Sequence, residues 1–148
     1  MRRPNLRTSD DKTQRTLQLP SMRPSDPDQQ VIAAAEARAR TLGENANHTV
    51  AAAVIDIDGR VHEAVNVFHF TGGPCAELVA LGVAATAGAP RLLAIAAAGD
   101  GGRGLIPPCG RCRQVLLDQH PDILVAIPTA DGPVMRPVGE LLPDAYFR

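Results

Sequence analysis

Val50-Ala-Ala-Ala-Val-Ile-Asp-Ile-Asp-Gly-Arg-Val-His-Glu-Ala-Val-Asn-Val67 is the stretch on which the fold turns. Asp58-Gly59 lies between two runs with β-branched residues, and glycine there supplies the positive φ that a tight hairpin needs. Two antiparallel strands are expected, over residues 50–57 and 60–67. Upstream, Ser25-Asp26-Pro27 has the composition of a helix start, and Val31, Ala34, Ala35, Ala39 and Leu42 follow at roughly helical spacing as far as Gly43. Downstream, residues 68–74 form a loop, and residues 76–87 are an Ala/Leu/Val-rich helix stopped by Gly88. A strand-length apolar run over 91–98 then leads through a glycine-rich loop, 99–104, and Pro107-Pro108 into a helix over 110–119. A buried strand over 123–127, a turn at Asp131-Gly132, a short edge strand over 134–136 and a helical turn over 137–142 complete the chain. This order predicts an α/β fold, a three-layer α/β/α sandwich around a mixed five-stranded sheet.

The 148 residues suit one domain, residues 26–148, preceded by a polar, proline-containing stretch over 1–25 with the composition of a disordered arm. Hydrophobic residues make up 45% of the chain but aromatics only 3%, so the core must be built from Ala, Val, Leu and Ile. A net charge of -1 and so few stacking side chains argue against a nucleic-acid partner and for a small-molecule substrate. No apolar run reaches the ~20 residues of a membrane span, and no signal peptide is apparent, so a cytoplasmic protein with reduced thiols is expected.

All three cysteines fall in two short motifs, Pro74-Cys75-Ala76-Glu77 and Pro108-Cys109-Gly110-Arg111-Cys112. Three soft ligands match a catalytic Zn²⁺ site, which keeps its fourth position for water, whereas a structural site fills all four. The 33 residues from Ala76 to Pro108 accommodate one helix, one strand and one loop, so two neighbouring helices can aim their N-termini at one ion. Those helix ends favour thiolate over thiol. Glu77 starts from the same turn as Cys75, close enough to exchange protons with water there, as a hydrolytic deamination requires. Three thiolates overcharge a dication, and Arg111 and Arg113 are the candidates to compensate, with Arg111 placed to donate to the sulfurs. The alternatives are a solvated surface arginine, a redox dithiol, and a zinc module that only holds two helices together. His62 and His120 are expected at the surface.

The order Cys-Ala-Glu, then Pro-Cys-x-x-Cys, is that of zinc deaminases. The segments VNVFHFTGGPCAELV, residues 65–79, and PCGRCRQVLLD, residues 108–118, carry a closer likeness: the chain resembles the cytidine deaminase family, and within it the blasticidin-S type. That resemblance implies a homotetramer, zinc on Cys75, Cys109 and Cys112, Glu77 as the catalytic proton shuttle, and active sites near subunit contacts. It also implies that Asn66 contacts sugar hydroxyls, that His48 and Thr49 line the pyrimidine site, and that Ala76, Arg103 and Tyr146 border the substrate. Phe68 stands where ordinary nucleoside deaminases of this kind carry a glutamate that holds ribose, and 68–74 follows the blasticidin-S type loop. The alternatives are that Asn66 ends a strand through local backbone bonds, that Arg103 only decorates its loop, and that His69 pairs locally. The expected reaction is hydrolytic deamination of the cytosine ring of blasticidin S or a related cytosine nucleoside, with the alternative of cytidine or deoxycytidine deamination in pyrimidine salvage.

Overall fold

In a computed structural model, residues 26–147 are described; the expected N-terminal arm lies outside them. Helix α1 (Pro27–Arg40) opens where the sequence indicates: the Asp26 carboxylate caps it by accepting from the Asp28 N–H at 3.2 Å, with Pro27 in the first turn. It closes at Arg40, short of Gly43, where the Thr41 hydroxyl donates to the Arg38 carbonyl at 2.7 Å.

Strands β1 (Val50–Asp56) and β2 (Val61–Val65) form the expected antiparallel hairpin, turning at Gly59 with φ +80°. Helix α2 (Ala76–Thr86) and strand β3 (Leu92–Gly99) follow. Next come β4 (Gly104–Ile106), α3 (Gly110–Gln119), β5 (Leu124–Ile127) and β6 (Val134–Pro137), with a short 3-10 turn over Val138–Leu141.

Strand order β2-β1-β3-β5-β6 gives the five-stranded path, mixed because only β3 and β5 run parallel. Strand β4 is an addition to the expected set. Strand β5 pairs with Ala94 and Ile95 alone, leaving the end of that β3 edge open, and Gly104–Ile106 covers it by pairing with Ala97, Ala98 and Gly99. An unpaired edge leaves N–H and C=O groups without partners, so even three residues are drawn into the ladder.

The period-two alternation of β1 and β3 divides the core. Ala52, Val54, Ile95 and Ala97 face α2 and α3 together with Ala76, Ala80, Leu81 and Leu116. Ala51, Ala53, Ile55, Ala94, Ala96 and Ala98 face α1, against Val31, Ala35 and Ala39. Helices on both faces make the three layers. Alanine dominates the α1 interface, so that helix approaches the sheet closely, and a larger side chain at Ala35 or Ala53 would have to push helix from sheet, typically costing about 1–3 kcal/mol. None of the four aromatic side chains enters this core: Phe68, Phe70, Tyr146 and Phe147 are all exposed. No helix among the described residues is long and apolar enough to cross a membrane.

His62 departs from expectation, being buried rather than at the surface. Its Nε2 donates to Asp56 Oδ2 at 2.9 Å, across the hairpin. Asp56 is itself fully buried and accepts from the Asp58 and Arg60 backbone N–H groups and from Arg60 Nε. A buried carboxylate surrounded by donors draws the imidazole inward. His120 is half-buried.

Candidate active site

The loop between β2 and α2 has little freedom. Val67 N–H donates to the Pro74 carbonyl at 3.1 Å, and a Cβ at Gly73 would lie 1.7 Å from the Val67 carbonyl oxygen. Only glycine lets the chain pass so close to the end of β2. The result fixes Cys75 as the cap of α2 beside Cys109, the cap of α3, and Cys112 in the opening turn of α3.

The Cys75 and Cys109 sulfurs are 3.6 Å apart, as are those of Cys109 and Cys112, and all three lie within 4.8 Å of one another. Tetrahedral zinc with Zn–S bonds of ~2.3 Å spaces its sulfurs by about 3.8 Å, so the donor set fits the ion and leaves a fourth position for another ligand. Electrostatics point the same way. Burial would raise the Cys109 thiol, but the Cys112 backbone N–H, the Cys112 and Cys75 thiols and the Arg111 N–H together bring it below its ordinary value. Cys112 is pushed far up, by burial first and then by the Glu77 charge and the neighbouring sulfurs. Sulfurs this close cannot all carry charge alone, and a dication is what lets them do so.

Glu77 lies in the first turn of α2, 5% exposed, and shares a narrow crevice with Ile95, Ile106, Pro108 and Leu116. Burial raises its pKa, opposed by its own backbone N–H and the Cys112 thiol. A carboxyl group so placed takes up and returns a proton more readily near neutral pH than a solvated one.

Arg111 Nη2 donates to the Gly73 carbonyl at 2.9 Å and to the Cys75 sulfur at 3.5 Å, placing its charge against the thiol cluster. Arg113 does not share that place. Its Nε donates to the Pro108 carbonyl and its Nη1 to the Leu141 carbonyl, both at 2.9 Å, so it ties the second cysteine motif to the terminal 3-10 turn.

His48, Thr49, Asn66 and Arg103 come together at the ends of β1, β2 and β3. Asn66 Oδ1 accepts from the Thr49 N–H at 2.7 Å and the Val50 N–H at 3.0 Å, and its Nδ2 donates to Thr49 Oγ1 at 3.1 Å. His48 Nδ1 donates to the Asn66 carbonyl at 2.7 Å, which leaves Nε2 as an acceptor in the neutral ring. Arg103 Nη2 donates to the Thr49 carbonyl at 2.6 Å. Because Val67, next to Asn66, is bonded to Pro74, this cluster and the thiol cluster share one stretch of backbone. Ala76 is buried at the start of α2. Tyr146 stands apart: its side chain is exposed, and its carbonyl accepts from Gln114 Nε2 at 3.0 Å. His69 pairs locally with Thr71.

Two residues escape a reading of the motifs alone. Gly73 is needed for space, for which Gly72-Gly73-Pro74 gives only a turn signal. Asp100 holds Arg103, with Nη2 to Oδ1 at 2.6 Å, and the only hint is an acid three residues before a base in a glycine-rich loop.

No family model matches the chain. It is 43% identical over 99 residues to the cytidine deaminase of Mycobacterium tuberculosis, covering 65% of this chain and 70% of that protein. It is 29% identical over 133 residues to the blasticidin-S deaminase of Bacillus cereus, covering 84% and 95% respectively. The crystal structure of cytidine deaminase from Burkholderia pseudomallei superposes with a TM-score of 0.65 at 34% identity, covering 80% of this chain and 98% of that one. Sequence, fold and a thiol cluster suited to zinc agree: the chain belongs to the cytidine deaminase family of zinc-dependent hydrolases.

Proposed function

We propose that the protein deaminates the cytosine ring of blasticidin S or a closely related cytosine nucleoside, releasing ammonia and leaving the uracil form. The observation that carries this reading is a buried carboxyl group, Glu77, in the same opening turn of α2 as Cys75, one of three convergent thiols. Cys75, Cys109 and Cys112 hold the zinc, which when bound acts as a Lewis acid that makes water acidic near neutral pH. Glu77 takes a proton from water as the water oxygen bonds to C4 of the ring, and delivers that proton to N3. It then carries the remaining hydroxyl proton to the amino group. The C4–N bond breaks, ammonia departs, and C4 is left as a carbonyl with N3 protonated. Arg111 offsets the excess negative charge on the sulfurs.

His48, Thr49, Asn66, Ala76 and Tyr146 are the proposed substrate contacts. Phe68 at the position of the family's ribose-binding glutamate supports the blasticidin-S side of the choice, because the Asn66–Thr49 cluster then offers a ribose diol no carboxylate acceptor. The 43% identity to a cytidine deaminase supports the other side, deamination of cytidine or deoxycytidine in pyrimidine salvage. The exposed Phe68, Phe70, Tyr146 and Phe147 support the homotetramer, since large aromatics left in water are usually covered by a partner. Ligand cysteines must stay reduced, which favours the cytoplasm.

Ammonia release from blasticidin S, cytidine and deoxycytidine, before and after chelation, tests the reading. Turnover of at least one, lost on zinc removal and regained on zinc addition, is expected; no turnover of any overturns it.

A further inference from the structure

The glycine-rich loop between β3 and β4 is built around the Arg103–Asp100 ion pair, whose guanidinium also grips a backbone carbonyl, that of Thr49. Arg103 Nη2 bonds both to Asp100 Oδ1 and to the Thr49 carbonyl, each at 2.6 Å, while Nε bonds Asp100 Oδ1 at 3.2 Å. The Asp100 N–H donates to that same Thr49 carbonyl at 2.9 Å, filling its second lone pair. Two sequence features exist to make this possible. A Cβ at Gly99 would meet Arg103 Nε at 2.6 Å and Cζ at 2.7 Å, so the guanidinium occupies the space a side chain would take. Gly101, Gly102 and Gly104 have φ of +57°, +78° and +67°, a conformation that turns the chain back on itself and that other residues rarely adopt.

Thr49, which leads into β1, is therefore held from both neighbours of that strand. Asn66, at the end of β2, takes its N–H and its hydroxyl; Asp100 and Arg103, at the end of β3, take its carbonyl. Each bond of Asn66 to Thr49 requires Thr49 to stay where the other side puts it. Three of the five N–H donors of Arg103 are directed inward at Thr49 and Asp100.

We infer that Asp100 and Arg103 are a positioning pair, which fixes the Thr49–Asn66 cluster, and that Arg103 acts through Thr49 rather than by binding an anionic group of the substrate. The inference rests on the proposed placement of the substrate beside Asn66 and Thr49. Misplacing a binding group by a fraction of an ångström weakens binding and turnover of every substrate that uses it, whatever its charge.

The test compares Arg103→Ala, the milder Arg103→Lys, and Asp100→Asn on two substrates: blasticidin S, whose sugar carries a carboxylate, and cytidine, which carries none. Positioning predicts that Arg103→Ala and Asp100→Asn each lower kcat/KM by about tenfold on whichever of the two the enzyme turns over, by the same factor on both, chiefly through KM and with zinc content unchanged. Combining Arg103→Ala with Asn66→Ala is expected to cost less than the product of the single effects, because both act on Thr49. A loss confined to blasticidin S, with Asp100→Asn harmless, overturns the inference in favour of a direct anion contact. Hydrogen exchange of the Thr49, Val50 and Asp100 amides decides the matter independently of turnover. It is expected to speed up in Arg103→Ala and Asp100→Asn, and unchanged exchange overturns the inference even if neither compound proves to be a substrate.

Discussion

Asp56 and Glu77 are both buried carboxyl groups, and the protein treats them in opposite ways. Asp56, at the tip of the hairpin, is 0% exposed, yet its pKa is lowered to about 2. Burial alone would raise it, but the His62 hydrogen bond, the backbone N–H of Arg60, the Arg60 charge and the backbone N–H of Asp58 more than offset that. Glu77, 5% exposed among apolar side chains, has few donors and its pKa rises. Donors, not depth, decide the outcome. The two sites also bracket one helix: Glu77 stands in the first turn of α2, and Arg60, anchored by Asp56, donates through Nη1 to the Ala87 carbonyl at its end. One carboxylate braces the helix while the other, at the far end, has few donors and is able to move a proton.

The largest effect should come from Glu77→Gln, which removes the proton carrier and keeps the shape: turnover is expected to fall by about a thousandfold or more, with zinc retained and Tm unchanged or slightly higher. Retained activity would reduce the thiol cluster to a brace between two helices. Asp56→Asn should show the converse, turnover within about threefold of wild type and a Tm lower by roughly 5 °C or more, read by calorimetry. Because the folded pKa of Asp56 lies below its unfolded value, its stabilisation is complete above about pH 4 and fades as pH falls towards 2. The acid limb of the stability curve should therefore flatten in Asp56→Asn, and an unaltered limb would show that the hairpin network contributes nothing. Arg60→Ala should produce the smallest change, a Tm decrease of roughly 2 °C, since its side chain is half exposed and solvent weakens the pair.

Much of this was legible in the chain. Asp58-Gly59 marked the hairpin, the β-branched and apolar runs marked the buried strands, and the two cysteine motifs placed the thiols on helix starts because their spacing allows little else. What escaped depended on distant partners. Strand β4 is three residues long and exists because β5 leaves part of an edge uncovered. The inward turn of His62 depends on a carboxylate six residues away across the hairpin, on a strand whose pattern gives no hint of a buried charge. Arg113 stands two residues after Arg111, yet one turns to the sulfurs and the other to Pro108 and Leu141, a distinction set by helical rotation. The side chain of Asn66 satisfies the backbone of another strand, which no local pattern records.

The placement of the aromatics has an optical consequence. The chain has no tryptophan, and Tyr146, its single tyrosine, is 73% exposed near the C-terminus. Its emission consequently changes little when an isolated subunit unfolds, since the ring is already in water. If the proposed assembly covers the ring, its surroundings alter far more, so fluorescence followed against dilution tests for association, and circular dichroism, dominated by the backbone, monitors the integrity of the fold.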